Sequence, residues 1–486
     1  MTKRRLVLLF LAVAIVGLGW VAPAKAAGGY AEAPMRVVTK GLTAEQHLAR
    51  QAELSLRLVR ELPAEAAERA VRVPLTAAEV AAVDRAPRTQ SPLRVGIVKA
   101  MLPAVALNGA DFDQPLRRTA DGGVVWAAVV RSEDAGAIRL HIQDLSLPRG
   151  AELHIYSRDG QAYGPYVGRG PNFDGDFWAT AIFGNEAIVQ VKLAREADLA
   201  SASLRIPEAG LITRHFVGSL TEPILPTAED GMKRATAAAN WPCGNINCLV
   251  DATCSNVAAA NPAKLAVAKM EWISGAFIYT CTGGLLSDTN PTQDNFFLTA
   301  NHCVSKNNNA SNVSFYWRYA TSSCNGTCPA NNGWPYVTTG STVSATNRKG
   351  DFTLLHLNSG PPAGSVQLGW TSAPVANTNN AQLYRISNPN FGPQVYSQHN
   401  VDTSAGTCSG WPRGERIYSR DITGAIDGGS SGSPILNASS QVVGQLSGTC
   451  GTNPSDACAS GPGEANATVD GAFAFYFNTV KPFLNP

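Results

Sequence analysis

No cysteine occurs among the first 242 residues, and the ten present all lie between Cys243 and Cys458. A disulfide scaffold is therefore excluded from the first half and expected in the second. After the opening residues no run of 18 apolar residues occurs, which excludes a transmembrane helix from the mature chain. Charge of one sign is not in excess, with 39 Lys+Arg against 37 Asp+Glu, so nothing draws the whole chain toward nucleic acid or a membrane surface. RNA-recognition signatures and zinc-finger spacings are missing, as are paired C-x2-C motifs, and neither a metal site nor a cofactor is expected.

Length and apolar content come next. The 486 residues are 44% hydrophobic, enough for two or three packed units rather than a disordered chain. Residues 1–26 read as a signal peptide. Lys3, Arg4 and Arg5 precede the apolar run Leu6 to Trp20, and Ala24-Lys25-Ala26 offers a cleavage site. The mature protein is expected to be secreted, soluble and free of the membrane.

Composition then changes near residue 235. Residues 27–235 carry 49 charged side chains, whereas residues 236–486 carry 23 and are rich in Asn, Ser, Thr and Gly. A boundary is expected between Thr227 and Trp241, with Glu229 to Asn240 as an exposed, cleavable linker containing Lys233-Arg234. The first part begins with a helical pattern over about Gly41 to Ala70. Short strands follow at Val124 to Val130, Ala137 to Ile142, Glu152 to Tyr156, Phe177 to Ile182 and Ala187 to Leu193, a β-sandwich-like module. Its histidines, His141, His154 and His215, are isolated and read as ordinary strand or loop residues. The second part alternates strands with Asn- and Gly-rich loops, including Ala276 to Cys281, Phe296 to Thr299, Val313 to Tyr319, Thr353 to Leu357, Gln382 to Ile386 and Val442 to Leu446. This predicts a mainly β, barrel-type architecture, with a helix only in the tail from Phe473 to Leu484.

Three segments of the second part carry chemistry. Phe297-Leu298-Thr299-Ala300-Asn301-His302-Cys303 supplies a histidine, Gly350-Asp351-Phe352-Thr353-Leu354-Leu355 an aspartate, and Asp427-Gly428-Gly429-Ser430-Ser431-Gly432-Ser433-Pro434 a serine. A serine hydroxyl is a weak nucleophile at neutral pH and needs a base within hydrogen-bond reach. Histidine titrates near neutrality, and a carboxylate fixes its tautomer. Glycines beside the serine let backbone N–H groups approach a developing oxyanion.

The order His, Asp, Ser and the wording of these segments resemble the chymotrypsin-like serine proteases. Cys281-Thr282-Gly283-Gly284-Leu285 resembles the strand opening before the histidine. Within that clan the chain is most similar to bacterial lysyl endopeptidases, which share the Ser-Ser-Gly-Ser-Pro, Phe-Leu-Thr-Ala and Asp-Phe-Thr-Leu-Leu segments. The resemblance covers roughly Cys248 to Phe477. It implies two β-barrels with a cleft between them, formed by residues 236–486 and preceded by a pro-region, residues 27–235, that assists folding and inhibits. Ser431 would be the nucleophile, His302 the base and Asp351 its orienter, with the Gly429 and Ser431 N–H groups as oxyanion hole. Ser447-Gly448 would line the substrate groove. It also implies Cys281–Cys303, Cys254–Cys324 and Cys248–Cys450 disulfides, and leaves Cys243, Cys328, Cys408 and Cys458 unplaced. The expected activity is that of a monomeric secreted serine endopeptidase acting on polypeptides.

Two rival readings exist. Gly428-Gly429-Ser430-Ser431-Gly432 fits an esterase elbow with Ser430 as nucleophile, but the last histidine, His399, precedes it. A catalytically inactive protease-like binding module would lack part of the triad, and all three residues are present. Specificity is less determined. A trypsin-like pocket would carry an acid at position 425, which is Ala425, and a lysyl endopeptidase at position 468, which is Thr468. Small or apolar residues are therefore expected on the acyl side of the cut. Asp427 and Asp470 are the neighbouring acids that would admit Lys or Arg instead.

Overall fold

A computed structural model describes residues 30–32, 35–84, 91–108, 115–217, 247–289, 294–326 and 336–484. The expected signal peptide (residues 1–26), the expected linker (Glu229 to Asn240), Cys243 and Cys328 lie outside the described residues.

A short strand, Met35–Val37, pairs with Val366–Leu368 of the second half, and helix α1 (Ala44–Glu61) follows it. Thr43 caps it reciprocally with Gln46: the Gln46 N–H donates to Thr43 Oγ1 at 3.2 Å and the Thr43 N–H to Gln46 Oε1 at 2.9 Å. The helix stops short of the expected Ala70 because Pro63 disfavours helical geometry at Leu62. Strands β1 (Leu93–Asn108), β2 (Val124–Arg131), β3 (Ala135–Ser146), β4 (Glu152–Tyr156), β5 (Glu186–Leu193) and β6 (Ser203–Thr213) follow. In one sheet β6 lies between β1 and β3; in the other β5 lies between β2 and β4. The two sheets form the expected sandwich around Leu107, Trp126, Ile138, Ile155, Val191 and Ile206. The unbroken apolar run in β2 has a physical reason. Val124, Trp126, Ala128 and Val130 face the sandwich core, while Ala127 and Val129 pack with Leu58 of α1. His141 bridges Glu208 at 2.8 Å and Asp176 at 2.7 Å and stacks on Trp178, a structural role.

In the second half, strands β7 (Val267–Ser274), β8 (Phe277–Leu286), β9 (Phe296–Ala300), β10 (Ser314–Trp317), β11 (Ser341–Asn347) and β12 (Phe352–Leu357) curl into an open barrel. Phe297, Phe315, Trp317 and Leu355 fill its interior. The next six, β13 (Gln382–Ser387), β14 (Val395–Val401), β15 (Arg416–Thr423), β16 (Pro434–Leu436), β17 (Val442–Gly451) and β18 (Asn466–Ala472), close into a full barrel through β14–β15 pairing. The tail is helical, as expected. Helix α2 (Phe473–Leu484) buries Phe473, Tyr476 and Phe477, and Tyr476 stacks on Phe352 with centroids 4.1 Å apart.

The two halves share one sheet. Strand β1 pairs with the outer part of β8, Leu93 opposite Thr280 and Ile97 opposite Phe277. Around this ladder Leu93, Val95, Phe183 and Ile212 of the first half pack on Ile273, Ile278, Tyr316 and Phe391 of the second. Arg139 and Glu271, both fully buried, meet across the same interface at 3.3 Å, and Tyr316 donates to the other Glu271 oxygen at 2.7 Å. Lys269 lies buried beside them and donates to the Phe391 carbonyl at 3.1 Å. Burial pushes its ammonium down to about 7.

The disulfides correct one expected pairing. Cys281–Cys303 and Cys254–Cys324 form as expected. Cys248 bonds Cys458, and Cys450 bonds Cys408, with Cα separations of 5.6 and 5.9 Å. The end of β17 places Cys450 against Ala405 and Tyr418, beside the Cys408 loop and away from Cys248.

The closed barrel has a charged interior. Arg385 and Asp470 are both fully buried and meet at 2.6 Å, and Arg385 also donates to the Ser433 carbonyl at 2.9 Å. Removing one partner strands a buried charge. Asp470→Asn is expected to lower stability by about 3–5 kcal/mol, read as a lower urea midpoint. An unchanged midpoint would show that Arg385 finds other compensation.

Candidate functional site

His302 follows β9, and Asp351 immediately precedes β12. Pairing of those two strands, Ala300 opposite Phe352, brings the two side chains together. The His302 backbone N–H donates to Asp351 Oδ1 at 3.1 Å, and His302 Nδ1 lies 3.0 Å from Oδ2. Burial opposes the Asp351 charge, but the His302 ring and N–H outweigh it and hold the carboxyl below its ordinary value. The Cys281–Cys303 disulfide ties the histidine turn to β8. Gln445 donates to the Asp351 carbonyl at 2.9 Å and accepts from Tyr476, so α2 braces the aspartate from behind.

Ser431 is held from the other barrel. Its carbonyl accepts from the Thr282 N–H at 2.8 Å, and the Gly429 carbonyl accepts from Thr282 Oγ1 at 2.8 Å. One residue of β8 therefore fixes the whole turn. Gly432, at φ +82°, has no space for a side chain: a Cβ there would lie 2.3 Å from Thr299 Oγ1 and 2.5 Å from the Thr282 carbonyl. Gly429 also has positive φ, at +93°. Among the described residues nothing accepts from the Gly429 or Ser431 N–H. Two donors are thus left for an anionic oxygen. Ser430, the rival serine, is fully buried and receives a hydrogen bond from Ser387 at 3.0 Å.

A cleft of about 560 Å³ runs over these groups, lined among others by His302, Ser431, Ile426, Asp427, Gly448 and Trp411. Ser447 also lines it. Ala425 and Thr468 do not. Ala425 is buried with Leu249 and Val395, and Thr468 is buried and donates to Asp421 at 2.7 Å. Asp421 also accepts from His399 Nδ1 at 2.8 Å, and His399 Nε2 lies 2.8 Å from Ser397 Oγ. Asp470 is sealed against Arg385, whereas Asp427 stands on the cleft wall and accepts from Asn390 at 2.9 Å. Sequence reasoning missed Trp411, the buried Asp421–His399 pair and Ser91. The last comes from the first half and lines the same cleft. None of them sits in a motif. Cys281 and Cys303 approach His302, but their shared disulfide leaves no thiolate for a metal.

Comparison with known proteins fits this geometry. Residues 70–212 match the model of the lysyl endopeptidase N-terminal domain, and residues 245–459 that of the lysyl endopeptidase C-terminal domain. A lysyl endopeptidase of Pseudomonas aeruginosa is 30% identical over 379 residues, 76% of this chain and 77% of that one. The chain belongs to the lysyl endopeptidase family. It is a serine endopeptidase whose second half is built from an open and a closed β-barrel. Among solved structures, the active form of the Rv3671c protease from M. tuberculosis has a TM-score of 0.31 at 16% identity, covering 48% of this chain and 86% of that one. An HtrA-type protease, AlgW, bound to a tripeptide has a TM-score of 0.33 at 13% identity, covering 46% and 62%.

In this family member the Ser431 turn tests the packing argument. Gly432→Ala is expected to displace the turn from Thr282 and Thr299, costing about 1–3 kcal/mol and abolishing peptidase activity. Thermal unfolding and hydrolysis assays on the same preparation check both. Normal activity would show that the turn tolerates a Cβ.

Proposed function

We propose that residues 236–486 are the mature enzyme and that it cuts polypeptides by acyl transfer through His302, Asp351 and Ser431. The observation that carries this reading is the His302–Asp351 pair, 3.0 Å apart in the wall of the cleft that Ser431 also lines. His302 Nε2 takes the Ser431 proton as Oγ attacks the scissile carbonyl, while Asp351 holds Nδ1–H and steadies the imidazolium. The Gly429 and Ser431 N–H groups stabilise the oxyanion. His302 then protonates the leaving amine, and water releases the acyl group by the reverse route.

Residues 27–235 are the pro-region in this reading, removed after export by a cut between Gly231 and Trp241. The shared sheet and the buried Arg139–Glu271 pair support it. A domain whose surface depends on such a partner is expected to fold poorly without it. On the acyl side of the cut, a small or apolar residue is the reading favoured by apolar Ile426 and Leu446 in the cleft lining and by an Asp470 already neutralised by Arg385. A basic residue is the second reading, favoured by the name of the Pseudomonas aeruginosa relative and by Asp427 on the cleft wall.

Ser431→Ala is expected to lower turnover on the order of a million-fold, and sulfonyl fluorides to label Ser431 in the wild type. Inhibition by chelators without such labelling would overturn the serine mechanism. Cleavage-site profiling of the wild type and Asp427→Asn decides specificity. Cuts after small or apolar residues in both support the first reading. Cuts after Lys or Arg that disappear in Asp427→Asn support the second.

A further inference from the structure

The proposed nucleophile already has a partner, and it comes from the other half of the chain. Ser91 Oγ lies 3.1 Å from Ser431 Oγ. His302 Nε2, the atom that must accept the Ser431 proton, is buried with no hydrogen-bond partner. The polar contact made by the serine hydroxyl is therefore to Ser91, not to the base.

The placement of Ser91 follows from strand register. Strand β1 runs antiparallel to β8, with Leu93 opposite Thr280, Arg94 opposite Tyr279, Gly96 opposite Ile278 and Ile97 opposite Phe277. Two residues back along β1 and two forward along β8, Ser91 comes level with Thr282, whose N–H holds the Ser431 carbonyl at 2.8 Å. Side chains anchor the ladder. Leu93 and Val95 are buried against Ile278, Tyr316 and Phe391, and the Arg94 guanidinium lies 3.6 Å over the Phe277 ring. Gly96 packs so closely that a Cβ would sit 2.4 Å from the Leu211 carbonyl. The chain thus passes Ser431 and continues along the edge of β8, as an extended peptide does when it adds to a sheet.

We propose that Ser91–Ile97 is an autoinhibitory strand. Its first residue lines the cleft on the β8 side of Ser431, and the Ser91 hydroxyl holds Ser431 Oγ away from His302 Nε2. The proposal rests on Ser431 being the nucleophile. It predicts that the uncleaved chain is silent because the triad is disconnected, in addition to being covered. It also identifies the β8 edge that β1 occupies, Phe277 to Thr280, as the surface vacated on maturation.

The test uses the full chain and a small serine-directed fluorophosphonate, with intact and processed chains resolved on a gel. The intact wild type is expected to label about tenfold or more slowly than the processed enzyme, as a hydrogen bond to the nucleophile must first break. Ser91→Ala is expected to speed labelling of the intact chain severalfold. Leu93→Asp, which unseats the strand, is expected to approach the processed rate. Phe173→Asp, at an exposed position of the sandwich, is expected to change nothing. Intact wild type labelling as fast as the processed enzyme would overturn the proposal. So would slow labelling that neither Ser91→Ala nor Leu93→Asp relieves. Should Leu93→Asp fail to fold, Ser91→Ala decides, since it removes one oxygen and leaves the ladder intact. Failure of the processed enzyme itself to label would overturn the assignment of Ser431, and the two failures are thereby distinguished.

Discussion

Everything at the site depends on β8. One edge of this strand pairs with β9, which carries the chain into the histidine turn, and its Cys281 braces that turn. Its Thr282 holds the Ser431 turn by two hydrogen bonds, and its outer residues carry β1 of the first half. A strand can serve all of these because its backbone presents donors and acceptors on two edges, while its side chains alternate between faces. Rigidity follows from the pairing on both sides. The groups that must meet within hydrogen-bond distance are placed by ladder register rather than by flexible loops.

The same dependence explains why the two halves stay together. The interface contains a ladder, an apolar cluster around Ile278 and Tyr316, and a buried Arg139–Glu271 pair. Separating the halves exposes the cluster and returns both charges to water. Hydration of the charges offsets part of what the lost apolar burial costs. In the proposed reading, such a junction holds the precursor together and still comes apart once the covalent link is cut.

The closed barrel poses a different physical problem. Its interior contains the Arg385–Asp470 ion pair and the chain Thr468–Asp421–His399–Ser397. Burial of such groups is costly unless each charge is paired with a partner inside the protein. The acids near the cleft are consequently not equivalent. Asp470 is committed to a guanidinium and Asp421 to an imidazole, while Asp427 reaches the cleft wall.

Much of this was legible in the sequence. The helix at the start, the run Val124 to Val130, six strands of the second half and the helical tail follow from local patterning, because burial on one or both faces leaves a period in the chain. The three segments around His302, Asp351 and Ser431 were legible as a chemical set, since nucleophile, base and orienter require those residue types together. What the sequence could not contain was the outcome of long-range register. Whether Cys248 meets Cys450 or Cys458 depends on where β17 ends against the Cys408 loop. Whether Asp470 serves a substrate or a guanidinium depends on Arg385, 85 positions away. That Ser91 faces Ser431 across 340 positions depends on which edge β1 finds. Sequence alone determined many of the elements and the chemistry they carry, but not the strands Leu93–Asn108 and Ser203–Thr213. Tertiary structure decided their partners, because a ladder fixes contacts between residues whose separation along the chain carries no local signal.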